Sequence, residues 1–214
     1  MQELAEFLSI RGIQTVTPLL PGHGSSPDDL AHVSWRSWLE TCRGALEALT
    51  VQFEDCFVLG HSVGGILALH LASEIPVKGV ITLSAPHEGL GDWRLPLLPL
   101  VKPFIRHWKK RRRGTRPVTP EMGYDRYPLN GVVECQKLIR ATHPKVASVQ
   151  CPALLIHSRR DHRIPVKHVF GLAKALGSSD IQIRLLNHPA HTVTRGEDKE
   201  QVFQAVAGFI ERMA

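Results

Sequence analysis

The sequence predicts an α/β fold, a mostly parallel sheet with helices on both faces, and three features of the chain point to it. Short apolar runs alternate with longer stretches whose apolar residues recur every three or four positions. Strands separated by helical stretches build βαβ units, which assemble into a parallel sheet covered on both sides. A glycine-flanked serine, Gly60-His61-Ser62-Val63-Gly64, lies between one such apolar run and one such helical stretch. Finally, 214 residues with 43% hydrophobic and 21% charged side chains describe a single globular domain over residues 1–214.

Each element follows from local pattern. Leu4, Phe7 and Leu8 give the first segment an apolar stripe at helical spacing, closed by Gly12. Ile13 to Thr17 then reads as a strand, stopped by Pro18 and the turn-rich Pro21-Gly22-His23-Gly24. Trp35, Trp38, Leu39, Cys42, Leu46 and Leu49 mark an amphipathic helix. Cys56 to Leu59 is wholly apolar, as a strand buried on both faces requires. The stretch from Val63 to Ser73 is apolar nearly all round, so its helix is interior. Val80–Leu83 and Ala153–Ile156 read as further strands. Ile181, Ile183 and Leu185 alternate with Gln182 and Arg184, the pattern of a half-exposed edge strand. Val202, Phe203, Val206, Phe209, Ile210 and Met213 make a last amphipathic helix.

Residues 87–130 break this rhythm, with many Pro, Trp and basic residues and no clear strand. Long irregular insertions in compact domains commonly serve as lids, and this one is expected to cap the site. The net charge of +6 is local: Lys109, Lys110, Arg111, Arg112, Arg113 and Arg116 form one run, read as a solvated loop or helix face. With no aromatic-interleaved or zinc-finger spacing beside it, no nucleic-acid partner is expected. No apolar run approaches the roughly 20 residues of a membrane span, and the start, MQELAEFLSIRG, is not a signal peptide. The four cysteines are scattered, as free thiols of a cytoplasmic protein would be. The absence of GxGxxG, P-loop and HExxH patterns leaves no cofactor, nucleotide, flavin or metal implied.

The chemistry centres on Ser62. A tight strand-to-helix turn presents its hydroxyl at the carboxyl end of the sheet, and Gly60 and Gly64 are expected to let the chains pass without a Cβ clash. The N–H of Val63, at the helix start, can donate to a developing oxyanion, aided by the helix dipole. A serine hydroxyl needs a base, and the base an orienting acid, in the chain order serine, acid, histidine. Asp161 lies just past the strand ending near Ile156, on the side of the sheet where such sites gather. Two histidines follow the last strand, His188 and His191; His191 stands nearer the final helix, but spacing leaves both open. His61 and His87 are close enough to the cleft to line it as substrate-binding residues.

These motifs together resemble the α/β-hydrolase superfamily, most of all bacterial carboxylesterases and monoacylglycerol lipases. Leu20 to Gly24 is similar to that group's loop after its fourth strand, and Gly60 to Gly65 to its nucleophile elbow. Asp161 with Arg163, Ile164 and Pro165 is similar to its acid loop, and Ala190-His191-Thr192-Val193-Thr194 with Asp198 to its histidine segment. The resemblance runs over nearly the whole chain and is weakest in the cap. It implies Ser62 as nucleophile, Asp161 as acid and His191, not His188, as base. It also implies about three strands before the point where this chain begins, the last ending in a His-Gly loop that donates a second oxyanion N–H. Residues 1–20 hold no match to that loop, so the N-terminal strands are expected to be missing, with a reading frame continuing upstream of Met1 or a short, impaired form as the two accounts. The implied activity is a serine esterase acting on short- to medium-chain carboxylic or monoacylglycerol esters. The same triad serves thioesterases, carbon–carbon hydrolases and haloperoxidases, and a non-catalytic scaffold is the alternative of a different class.

Overall fold

Apolar runs and their turn-forming flanks set the architecture that follows. A computed structural model of the chain describes residues 1–89, 107–109, 126–188 and 190–213. In chain order the elements are α1 (Gln2–Ile10), α2 (Pro27–Ala31), α3 (Trp35–Thr50), β1 (Phe57–His61), α4 (Val63–Ala72), β2 (Gly79–Leu83), β3 (His107–Lys109), β4 (Arg126–Pro128), α5 (Leu129–Thr142), β5 (Ala153–Ser158), α6 (Lys167–Ala175), β6 (Ile181–Leu186) and α7 (Lys199–Met213). A 3₁₀ turn, His143–Ser148, extends α5.

The main sheet has the order β1-β2-β5-β6, every pairing parallel. Strand periodicity sorts its side chains into two cores. Val58, Val80, Ala153 and Leu155 point to one face, where α3, α4, α5 and α6 contribute Trp38, Leu67, Leu138 and Leu172. Ile81, Leu83, Leu154 and Ile156 point to the other, covered by Leu4 and Leu8 of α1 and by Val202, Phe203, Val206 and Phe209 of α7. β2 and β5 are buried along their whole length, as continuous apolar runs should be. The α4 helix is buried without a break from Gly65 to Leu71, in agreement with its all-round apolar sequence. β6 is an edge strand with partial exposure.

The strand expected at Ile13–Thr17 is not formed. This stretch is irregular, and among the described residues no strand pairs with it, so β1 is the other edge of the sheet. An apolar alternation marks a segment able to be a strand, but only a hydrogen-bonded neighbour makes it one. Three elements, α2, α5 and α6, lie where no element was assigned. α2 forms because Ser26 caps it: its side chain accepts from the Asp29 N–H, and Pro27 opens the first turn. α5 is held to α3 by Glu134, whose carboxylate accepts the Trp35 N–H at 3.0 Å in the interior.

The region expected as a cap without strands contains β3 and β4, which pair antiparallel between His107–Lys109 and Arg126–Pro128. Local alternation in that stretch is too short to signal strands. Of the basic run, Lys109 ends β3 and the rest lies outside the described residues. No helix among the described residues is long and apolar enough to cross a membrane. The four cysteines are free.

Candidate active site

Ser62 stands between β1 and α4 with φ 54° and ψ −116°, a left-handed conformation that costs a non-glycine residue about 1–3 kcal/mol. The sheet holds it there, since the Ser62 N–H donates to the Leu83 carbonyl at 2.8 Å. The turn is tight enough that a Cβ on Gly60 would lie 2.0 Å from the Gly64 carbonyl oxygen. The second glycine that close packing demands is not Gly64, whose Cβ would meet nothing within 4 Å, but Gly65, whose Cβ would sit 2.8 Å from that of Ala85. The expectation for Gly64 is thus corrected: Gly60 yields to the backbone of Gly64, and Gly65 to Ala85 just past β2. The N–H groups of the first turn of α4, beginning at Val63, lie beside Ser62 at the positive end of the helix.

Two loops at the same rim bring partners to this hydroxyl. His191 Nε2 is 3.1 Å from Ser62 Oγ, and His191 Nδ1 is 2.8 Å from Asp161 Oδ2. The Nδ1–H donates to the carboxylate, which leaves Nε2 bare to accept the serine proton. Asp161 follows β5, and its other oxygen, Oδ1, accepts the N–H groups of Arg163 at 2.8 Å and Ile164 at 3.0 Å. Burial pushes the Asp161 carboxyl up, but the His191 hydrogen bond and charge and these two amides together bring it below its ordinary value. It is therefore ionised at neutral pH and locked in one orientation.

His188 does not reach Ser62. Its Nδ1 and its backbone N–H both meet the Asp198 carboxylate, at 2.8 and 3.2 Å, and its Nε2 is 3.0 Å from Glu197. Its carbonyl accepts from Ser158 Oγ at 2.7 Å, tying the loop to the end of β5. The geometry thus separates the two histidines that spacing left open.

The two residues expected to line the cleft have protein partners of their own. His61 Nε2 donates to the His191 carbonyl at 2.8 Å, and the two rings stand 5.0 Å apart. Burial, then the nearby His191, holds His61 at about 4, so it is neutral at pH 7. This bond ties His61 to the backbone of His191. His87 packs against His143, with ring centroids 4.8 Å apart, and its backbone N–H donates to His168 Nδ1 at 3.1 Å. Burial and the neighbouring His143 lower its pKa. His157, which the sequence reading did not single out, lies buried beside the acid: Nε2 donates to the Ile164 carbonyl at 2.8 Å and is 3.9 Å from Asp161 Oδ2. A lone histidine inside an apolar strand gives no signal that separates this supporting position from an ordinary core residue.

Comparison with known proteins decides the family. The pattern of the alpha/beta hydrolase family matches residues 1–205. The chain belongs to that family. This alpha/beta hydrolase is 24% identical over 213 residues to a carboxylesterase of Bacillus subtilis (strain 168), covering 98% of this chain and 86% of the relative. It is also 24% identical over 223 residues to the thermostable monoacylglycerol lipase of Bacillus sp. (strain H-257), covering all of this chain and 86% of that one. Among solved structures, one from work on the metagenome-derived lipolytic enzymes LipS and LipT superposes with a TM-score of 0.88 at 24% identity, over 99% of this alpha/beta hydrolase and 87% of the other chain. The monoacylglycerol lipase of Paleococcus ferrophilus gives 0.80 at 20% identity, over 99% and 88%.

Proposed function

We propose that this protein is a serine esterase that hydrolyses carboxylic esters through an acyl-enzyme on Ser62, with His191 as base and Asp161 as orienting acid. The observation that carries the reading is the unbroken chain of contacts from Ser62 Oγ through the His191 ring to Asp161, at 3.1 and 2.8 Å. In the first half-reaction Ser62 Oγ attacks the acyl carbon while its proton passes to His191 Nε2. The imidazolium so formed is stabilised by the ionised Asp161, and it returns the proton to the departing alcohol. The Val63 N–H faces the negative charge that develops on the carbonyl oxygen. Water, deprotonated by the same imidazole, then releases the acid. Small ester substrates are favoured by kinship with the carboxylesterase and monoacylglycerol lipase, and residues 87–130 as a cap would set acyl-chain preference. The free cysteines suit a reducing cytoplasm.

A fluorophosphonate probe and a chain-length series of p-nitrophenyl esters test the reading. The wild type is expected to label at Ser62 and turn over at least one ester. Ser62→Ala should lose labelling and roughly 10⁶ of turnover, and Asp161→Asn about 10⁴. Failure to label or hydrolyse at any chain length would leave a ligand-binding scaffold in its place.

A further inference from the structure

A second group of titratable side chains lies at the carboxyl end of β2, unused by the chemistry above. The chain leaves β2 at Leu83, whose carbonyl holds the Ser62 amide, turns at Ser84 with φ 51°, and reaches His87 and Glu88. His143, the residue closing the carboxyl end of α5, stands beside them. One ligand atom from each of His87, Glu88 and His143 lies within 4.8 Å of the other two. An independent sign accompanies this cluster. His87 is only 7% exposed, yet its Nδ1 is buried without a hydrogen-bond partner, which ordinarily costs about 1–3 kcal/mol. Buried orphan nitrogens of this kind call for an absent partner.

We propose that His87, Glu88 and His143 bind a divalent transition-metal ion of the zinc class. Two imidazoles and one carboxylate are a borderline donor set suited to zinc, and three protein ligands leave a fourth position open. A tetrahedral ion with bonds near 2.1 Å needs ligand atoms about 3.4 Å apart, so the cluster must tighten. The two residues that would move, Glu88 and His143, are both exposed, and the His143 ring turns out of its stack on His87 to point its nitrogen inward. His87 itself is fixed. His168 Nδ1 accepts its backbone N–H, and the chain at Gly171 passes so near that a Cβ there would lie 2.6 Å from His87 Cδ2. A cation at this spot also meets the negative end of α5. The ion would staple the segment after β2 to the end of α5, four residues beyond the carbonyl that anchors the nucleophile. No sequence motif announces such a site, because two ligands are adjacent and the third is distant.

The test is zinc titration of the chelator-treated full chain, followed by calorimetry and thermal unfolding. One ion per chain and a rise in Tm are expected. His143→Ala and Glu88→Gln, both at exposed positions, should each weaken binding at least about tenfold. Gly171→Ala should do the same by displacing His87, while His32→Ala, at an exposed histidine elsewhere, should leave the isotherm unchanged. The proposal is overturned by absence of binding, by an isotherm that survives His143→Ala intact, or by equal weakening in His32→Ala. Because zinc affinity and Tm are read without substrate, the result is independent of the esterase assignment.

Discussion

His61 precedes Ser62 by one residue and donates its Nε2 proton to the carbonyl of His191, whose ring meets the Ser62 hydroxyl. Its pKa falls from 6.5 to about 4 in the folded chain, so the unfolded chain binds the proton more readily between those values. The stability contribution is therefore intact above pH 6.5 and is lost as pH falls toward 4. At pH 4.5 this single group lowers stability by about 2–3 kcal/mol. His61→Gln keeps an N–H donor but cannot titrate. Urea unfolding at pH 7 and 4.5 should show the wild type losing that much more stability on acidification than the variant. Equal losses would mean that His61 does not titrate low.

The elbow makes a prediction at the scale of an element, where β1, α4 and β2 share their glycines. Gly60→Ala places a methyl group 2.0 Å from a backbone oxygen that cannot withdraw without unseating α4. Thermal unfolding of this variant should show a loss above about 3 kcal/mol, or no folded protein. Gly64→Ala puts its methyl group into open space within the first turn of a helix, and should leave stability unchanged or raised by about 0.5–1 kcal/mol. A G-x-S-x-G pattern makes both glycines look equally necessary. The close approach of α4 to its neighbour falls at Gly65, which faces Ala85 just past β2, and not at Gly64. Motifs record spacing along the chain, while clashes depend on which neighbour packs there.

Across the whole molecule, the parts legible in sequence were those with long periodic signals. The α3, α4 and α7 helices, the buried strands β2 and β5, and the edge strand β6 all arise from apolar patterns that one residue's change would not disguise, whereas β1, expected to be buried on both faces, is an edge strand buried only at alternate residues. Ser62 and Asp161 were readable because each sits where a strand ends. What stayed hidden depends on partners distant in sequence. The 13–17 segment has strand composition but no ladder neighbour among the described residues, and His61 and His87 have contacts 130 and 81 residues away. His188 and His191 were inseparable by spacing; the contacts of His191 with Ser62 and Asp161, and of His188 with Asp198, tell them apart.

That contact has a consequence for how the protein would wear out on heating. Ser62 is riveted to the centre of the sheet through a backbone bond, whereas His191 rides on a loop fastened by side-chain bonds, His188 to Asp198 at the surface and Ser158 and His61 to the His188 and His191 carbonyls further in. Fastenings of that kind open at lower free energy than a buried parallel sheet. Esterase activity should therefore fade several degrees before the far-ultraviolet circular dichroism changes, and Asp198→Asn should widen the gap. If both signals vanish together, base and sheet melt as one unit. Otherwise the molecule first falls silent and only later comes apart, and cooling from that interval restores it.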